Sequence, residues 1–231
     1  MTAMDGVLVR GRGAPGAVLL ACVVVLCGCV RVVDGAAAVD DGMPVVLTEV
    51  LVEPSAFPAP YRAAVLDAHG VSEAVASVDG VPAGATVEPA GCAPAPVGSG
   101  PRNAVAAQGV DPGTGAALVV ILTRTGTTLA DRHAQVARCP SLTATAGEVV
   151  TTVDTVLLPA RPVDADDSLA SEATIRRSTE PPVRVLRLGA QIDDVRLTAA
   201  WLNNDASAAP DTAALDLLFA DALLTVRRGE R

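Results

Sequence analysis

Few side chains in this sequence are equipped for chemistry. There are five cysteines, Cys22, Cys27, Cys29, Cys92 and Cys139, and two histidines, His69 and His133. Cysteine and histidine can form a nucleophile–base pair or hold zinc, and two cysteines can crosslink. Spacing removes most of these options. There is no Cys-x-x-Cys and no histidine pair at metal spacing. There is no Gly-x-Ser-x-Gly and no His-Glu-x-x-His. Cys139 and His133 lie close on one expected helix, but a disulfide at Cys139 would remove the thiol. Asp131 precedes His133 by two positions, so the two do not share a helix face. His69 near a helix end suits a dipole partner better than a catalyst. Asp164, Asp166 and Asp167 form the densest acidic cluster. It lacks the glycine and closing glutamate of a calcium loop, so a solvated turn is expected and a weak divalent-cation site is the alternative. Gly98-Ser99-Gly100 is not followed by Lys-Ser/Thr, so no phosphate loop is expected. No catalytic residue, metal or cofactor is assigned.

The N-terminal cysteines belong to a different pattern. Arg10 and Arg12 give a positive start, and Ala14 to Leu26 is a short apolar run. That run is shorter than the roughly 20 apolar residues of a membrane span and fits a signal peptide. It ends in Leu26-Cys27-Gly28-Cys29, which resembles a bacterial lipobox. The resemblance implies diacylglyceryl transfer to Cys29, cleavage before it, and palmitate-type acylation. A plain secretory signal with incidental cysteines is the alternative. The expectation is a signal peptide over 1–28 and a lipid anchor that holds the chain on the extracytoplasmic face of the cell membrane. No second long apolar run follows. Cys92 and Cys139 then remain as one pair in an oxidising compartment, where a disulfide is expected. It would close a loop of about 47 residues and contribute roughly 4 kcal/mol. Two buried free thiols are the alternative.

The 231 residues suit one domain with appendages. Half are hydrophobic but only 2% are aromatic, so Val, Leu, Ala and Ile must build the core. All 17 basic residues are arginine. The Ala, Val, Gly, Asp and Arg bias resembles a high-GC, actinobacterial genome. Net charge is −9, and no basic stripe with interleaved aromatics appears, so a nucleic-acid partner is not expected.

Residues 29–56 read as a tether, with the run Val45–Val52 as an extra strand or a docked segment. The domain is expected over 57–231. Tyr61, Val65, Leu66 and His69 fall at helical spacing, with Gly70 as a closing glycine. Ser72–Ala76 is expected as a short second helix. Thr86–Glu88 reads as a brief strand, followed by a Pro- and Gly-rich loop that carries Cys92. Asn103–Val110 and Leu118–Thr123 make a hairpin around Asp111–Gly115. The second strand is apolar on both faces and so belongs at the centre of a sheet. Thr127 or Thr128 starts a helix that reaches Cys139. Strands follow at 141–145 and 148–158 around Gly147, then 163–177 as strand or polar helix. Val183–Leu188 and Val195–Trp201 pair around Asp193-Asp194. Their arginines, Arg184, Arg187 and Arg196, are expected together on a wet face, either solvated or as a patch for an anionic partner. Trp201 is expected in the core or at a cleft edge. Asp211–Arg228 is the clearest helix, with Ala214, Leu217, Leu218 and Leu224 on its apolar side.

This element order predicts an α+β domain, an antiparallel sheet with helices packed on its faces. The Tyr61–Ala68 segment, Pro89–Pro94 (PAGCAP), the strand LVVILTR, the Cys139-Pro140 helix end, GEVVTTVDTVLLPA and a final leucine-rich helix resemble actinobacterial envelope lipoproteins. The resemblance is to the mycobacterial group related to the PknH-type kinase sensor domain and the LpqN-type lipoproteins, and covers about 57–228. It implies a sheet flanked by helices, a cleft, and binding of a ligand or partner. The kinase sensor domain carries two disulfides, whereas this chain has cysteines for one. Three functions are expected to compete. One is a lipid-anchored, non-catalytic binding or sensory domain for an apolar small molecule. Another is a scaffold for an envelope protein. The third is an envelope hydrolase, which lacks a motif.

Overall fold

A sheet strand that is apolar on both faces needs cover on both, and β4 (Ala117–Arg124) has it: Leu118 to Thr123 are all buried. In the computed structural model, which describes residues 45–178 and 180–229, β4 lies within a nine-stranded, fully antiparallel sheet. The other strands are β1 (Arg62–Val65), β2 (Thr86–Glu88), β3 (Ala104–Val110), β5 (Ser141–Ala146), β6 (Val149–Leu158), β7 (Asp167–Arg177), β8 (Val183–Ile192) and β9 (Val195–Asn203). Their spatial order is β1-β3-β4-β9-β8-β7-β6-β5-β2. The expected α+β class and antiparallel sheet are both present. The signal peptide, Cys29 and residues 30–44 of the expected tether lie outside the described residues.

Alternation sorts the side chains into two cores. On one face, Leu118, Val120, Leu122, Leu197, Ala199 and Trp201 meet α3 (Thr212–Gly229). On the other, Val119, Ile121, Ala173, Ile175 and Val185 meet α1 (Ala68–Asp79) and its surroundings, with α2 (Leu129–Arg138) farther along. The α3 stripe is Ala214, Leu215, Leu218, Phe219, Ala222, Leu223 and Val226. Leu217 and Leu224, expected on that side, are 52% exposed. The stripe is rotated because Leu215 and Phe219 sit one turn from Leu218 and Ala222, and together they bury more apolar area.

In the N-terminal part of the domain one open alternative is decided and the expected helices are corrected. The segment from 45 to 56 is docked, with Leu47, Val50, Leu51 and Val52 buried in the α3-side core. The domain therefore includes residues placed in the tether. The helix expected through Tyr61, Val65 and Leu66 is instead strand β1, since Arg62–Val65 pair with Ala107–Val110. Cross-strand pairing overrides the local spacing. The helix starts later, where the Asp67 side chain accepts from the Gly70 N–H at 2.8 Å, a standard N-cap. Gly70 is thus inside α1. The closing glycine is Gly80, at φ 71°, where an added Cβ would lie 2.6 Å from Val153. The separate helix expected at 72–76 is the middle of α1.

The remaining elements fall where the sequence puts them. Thr128 caps α2, and Asp131 at its N3 position accepts from the Thr128 N–H in return. The β5–β6 hairpin turns at Gly147, with φ 59°. The segment left open as strand or polar helix is the strand β7. The β8–β9 hairpin turns at Asp193-Asp194.

Candidate ligand-binding site

The Pro-rich loop after β2 has almost no backbone ladder, so its position must come from side chains. Cys92 and Cys139 form a disulfide that spans 47 residues and ties this loop to the C-terminus of α2. Gln135 on α2 donates to the Ala93 carbonyl at 2.7 Å and the Gly91 carbonyl at 3.3 Å. The loop therefore stands as a fixed wall beside α1 and α2.

Between this wall, α1, the 81–85 turn and the docked N-terminal segment lies a cavity of about 780 Å³. Leu51, Val52, Leu66, Val71, Val75 and Val87 line it, with Pro94, Pro96 and Val97 from the loop. Its polar lining is sparse, with Thr48, Ser72 and Asp79 among it. Small-molecule sites are typically about 300–1,000 Å³, mostly apolar, with a few placed polar groups.

A second cavity, of about 330 Å³, lies on the other side of the loop, against the sheet and α2. Val75, Asp79, Pro94 and Val97 line both cavities. Its chemistry differs, because Arg132, Arg138, Arg187 and Arg196 line it against Asp79 and Asp131. Arg187, in the middle of β8 beside Ser171 and Ala200, is 8% exposed. Burial pushes its guanidinium down to about 10, with the Asp79 charge opposing and Arg132 adding to the fall. It stays protonated at neutral pH. Burial likewise lowers Arg196, with Arg132 acting in the same direction. Arg196 donates to the Thr127 carbonyl at 2.5 Å and the Gln191 carboxamide at 3.4 Å.

The wet arginine face expected on β8 and β9 is corrected by this arrangement. Arg184 and Arg187 are three residues apart on one strand and must point to opposite faces. Arg184 pairs with Glu172 at 2.7 Å and donates to the Ala208 carbonyl. Arg187 and Arg196 share the face that carries α1 and α2, and Arg187 is buried there. The parity of Arg187 with Val183, Val185 and Gly189 was the available signal. Asp79, Arg132 and Gln135 carried no signal, because nothing local says that α1 and α2 meet over β8.

The other marked residues are dispersed. His69 and His133 are exposed on α1 and α2. Asp164 pairs with Arg227 at 2.6 Å, Asp166 accepts from the Asp193 N–H at 2.7 Å, and Asp167 accepts from the Ser168 N–H at 2.7 Å. The three carboxylates are spent on separate tasks. Among the described residues, no cluster of three or more His, Cys, Asp or Glu side chains is placed to hold a metal. Trp201 is in the core, 2% exposed. None of the described helices is long and apolar enough to cross a membrane.

The fold and these cavities define an α+β domain with a stapled loop over two adjoining pockets. No protein-family model matches the chain, and no curated protein matches it. Among solved structures, an uncharacterised protein from Mycobacterium smegmatis aligns with 17% identity and a TM-score of 0.43, over 75% of this chain and 92% of that one. A likeness at that level carries no argument about function.

Proposed function

We propose that this protein is a lipid-anchored, non-catalytic binding domain on the extracytoplasmic face of the cell membrane, and that its ligand is an apolar small molecule. The observation that carries the reading is the apolar cavity of about 780 Å³ under the Pro-rich loop. The address is supported by the lipobox-like run ending at Cys29 and by the Cys92–Cys139 disulfide, since such crosslinks persist in oxidising compartments. The resemblance of residues 57–228 to actinobacterial envelope lipoproteins points to the same compartment. A cell-surface scaffold is the second reading. It is favoured by Leu217 and Leu224, which stand exposed on the outer side of α3.

Nile red, an uncharged apolar dye, tests the binding reading. The protein is expected to raise its fluorescence saturably, and Val75→Trp, which fills the cavity, is expected to weaken binding by about tenfold or more. Equal binding by the variant moves the dye elsewhere and favours the α3 face. Intact mass of the protein from its native membrane tests the address. The expected mass is that of a chain beginning at an acylated Cys29. An unprocessed chain would sink the anchored reading.

A further inference from the structure

An arginine in the middle of a sheet is costly unless its five N–H donors find acceptors. Arg187 has not found them. Its Nη1 lies 3.8 Å from the Asp79 carboxylate, a contact that Asp79 shares with Arg132 Nη2 at 3.4 Å. Its Nε and Nη2 are buried with no hydrogen-bond partner among the described residues. Arg184, on the other face of the same strand, has both a carboxylate and a carbonyl. The contrast lies in what surrounds each residue, not in the strand.

The surroundings of Arg187 are cationic in a chain whose net charge is −9. Four arginines face two aspartates around the smaller cavity, and Asp131 is already engaged by Thr128 at the start of α2. The same cavity is also lined by Val75, Val78, Leu129 and Leu169, beside the hydroxyls of Thr123, Ser171 and Thr198. A guanidinium with free donors in a cavity that adjoins an apolar one is complementary to an anion that carries a hydrocarbon. Through Val75, Asp79 and the loop residues, the two cavities adjoin.

We infer that the smaller cavity is an anion subsite, in which Arg187 receives the carboxylate or phosphate headgroup of an amphiphile whose hydrocarbon lies in the larger cavity. This rests on the binding reading above and narrows its ligand to an anionic, single-headed lipid or lipid-like acid. Arg196, beside the site, adds a second positive charge. Asp79 is the group that the headgroup would displace from Arg187.

Displacement of Nile red by a matched series tests this. Dodecanoate and dodecyl phosphate are expected to compete at about tenfold or more lower concentration than dodecanol, as charge-assisted hydrogen bonds imply. Arg187→Met should bring the three compounds to within about twofold of each other. Asp79→Asn keeps the cation, removes its internal competitor, and should widen the ratio. Equal competition by acid and alcohol in the wild type overturns the anion subsite while leaving the apolar cavity standing. A ratio that neither variant moves also overturns it. Failure of the dye and all three compounds to bind removes both readings together. Inorganic phosphate is the last arm. A rise in melting temperature with phosphate alone, and no gain from the alkyl chain, would assign the site to a free anion and overturn the amphiphile.

Discussion

Tyr61 shows how one buried group reports on its surroundings. Its hydroxyl donates to the Asp211 carboxylate at 3.3 Å, which joins the start of β1 to the start of α3. Burial first, and the Asp211 charge second, push its phenol from the usual 10.0 up to about 12. A raised phenol pKa means that the folded state keeps a proton that the unfolded state releases. Its contribution is therefore complete below pH 10 and is lost as pH rises through about 12. Tyr61 is the only tyrosine, so phenolate absorbance during a pH titration reads this one group. The expected midpoint is near 12 in the folded protein, and Tyr61→Phe should flatten the loss of stability between pH 10 and 12. A midpoint at 10 would show that the ring is not buried. At this scale the sequence was a partial guide. Cys92, Cys139 and Thr128 announced their roles by type and position. Arg187 did not, because an arginine between two apolar residues reads as wet until the helices above it are known.

Elements were more legible than residues. Beyond β1 every strand but β7, which stayed open between strand and polar helix, was visible, since apolar runs bounded by Pro159, Gly147, Asp193-Asp194 or Asp111–Gly115 leave little choice. The segment at 61–70 failed because strand β1 has no periodicity of its own. Three of its four residues are exposed or nearly so, and it exists only through its partner β3. The loop carrying Cys92 is the opposite case, an element with little ladder that is held by a crosslink. Replacing the pair, Cys92→Ala with Cys139→Ala, is expected to cost about 4 kcal/mol in urea unfolding, from the entropy regained by the open chain. Reduction of the wild type should match the double variant. A cost under about 1 kcal/mol would mean that Gln135 and the loop contacts hold the wall unaided.

For the molecule as a whole, the sequence misplaced where the domain begins. The acidic and glycine-rich stretch from 34 to 42 reads as linker, and the run Val45–Val52 after it reads equally as an extra strand or a docked segment, with nothing local to make it core. Leu47, Val50, Leu51 and Val52 lie over the α3-side cluster, and burial of one such side chain is worth about 1.5–3 kcal/mol. Four of them amount to roughly 6–12 kcal/mol, comparable to the whole stability of an ordinary domain. A chain starting at Phe57 is therefore expected to lose its cooperative thermal transition, whereas one starting at Met43 keeps it. Equal melting curves would show that the docked segment adds nothing. The same segment supplies Leu51 and Val52 to the larger cavity, so the shorter chain should also lose Nile red binding.

The two ends of the sheet bear on how closely copies of this protein can be crowded. The outermost strands, β1 and β2, have only four and three residues, and Pro60 precedes one while Pro89 follows the other. A proline offers no N–H to a neighbouring chain, and a three-residue ladder gives little purchase for a tenth strand. Under the anchorage proposed above, chains held on one surface would meet edge to edge far more often than chains diffusing in a volume. A nine-stranded sheet with long open rims would polymerise under that regime, and blunt rims let such a domain be packed densely as separate molecules.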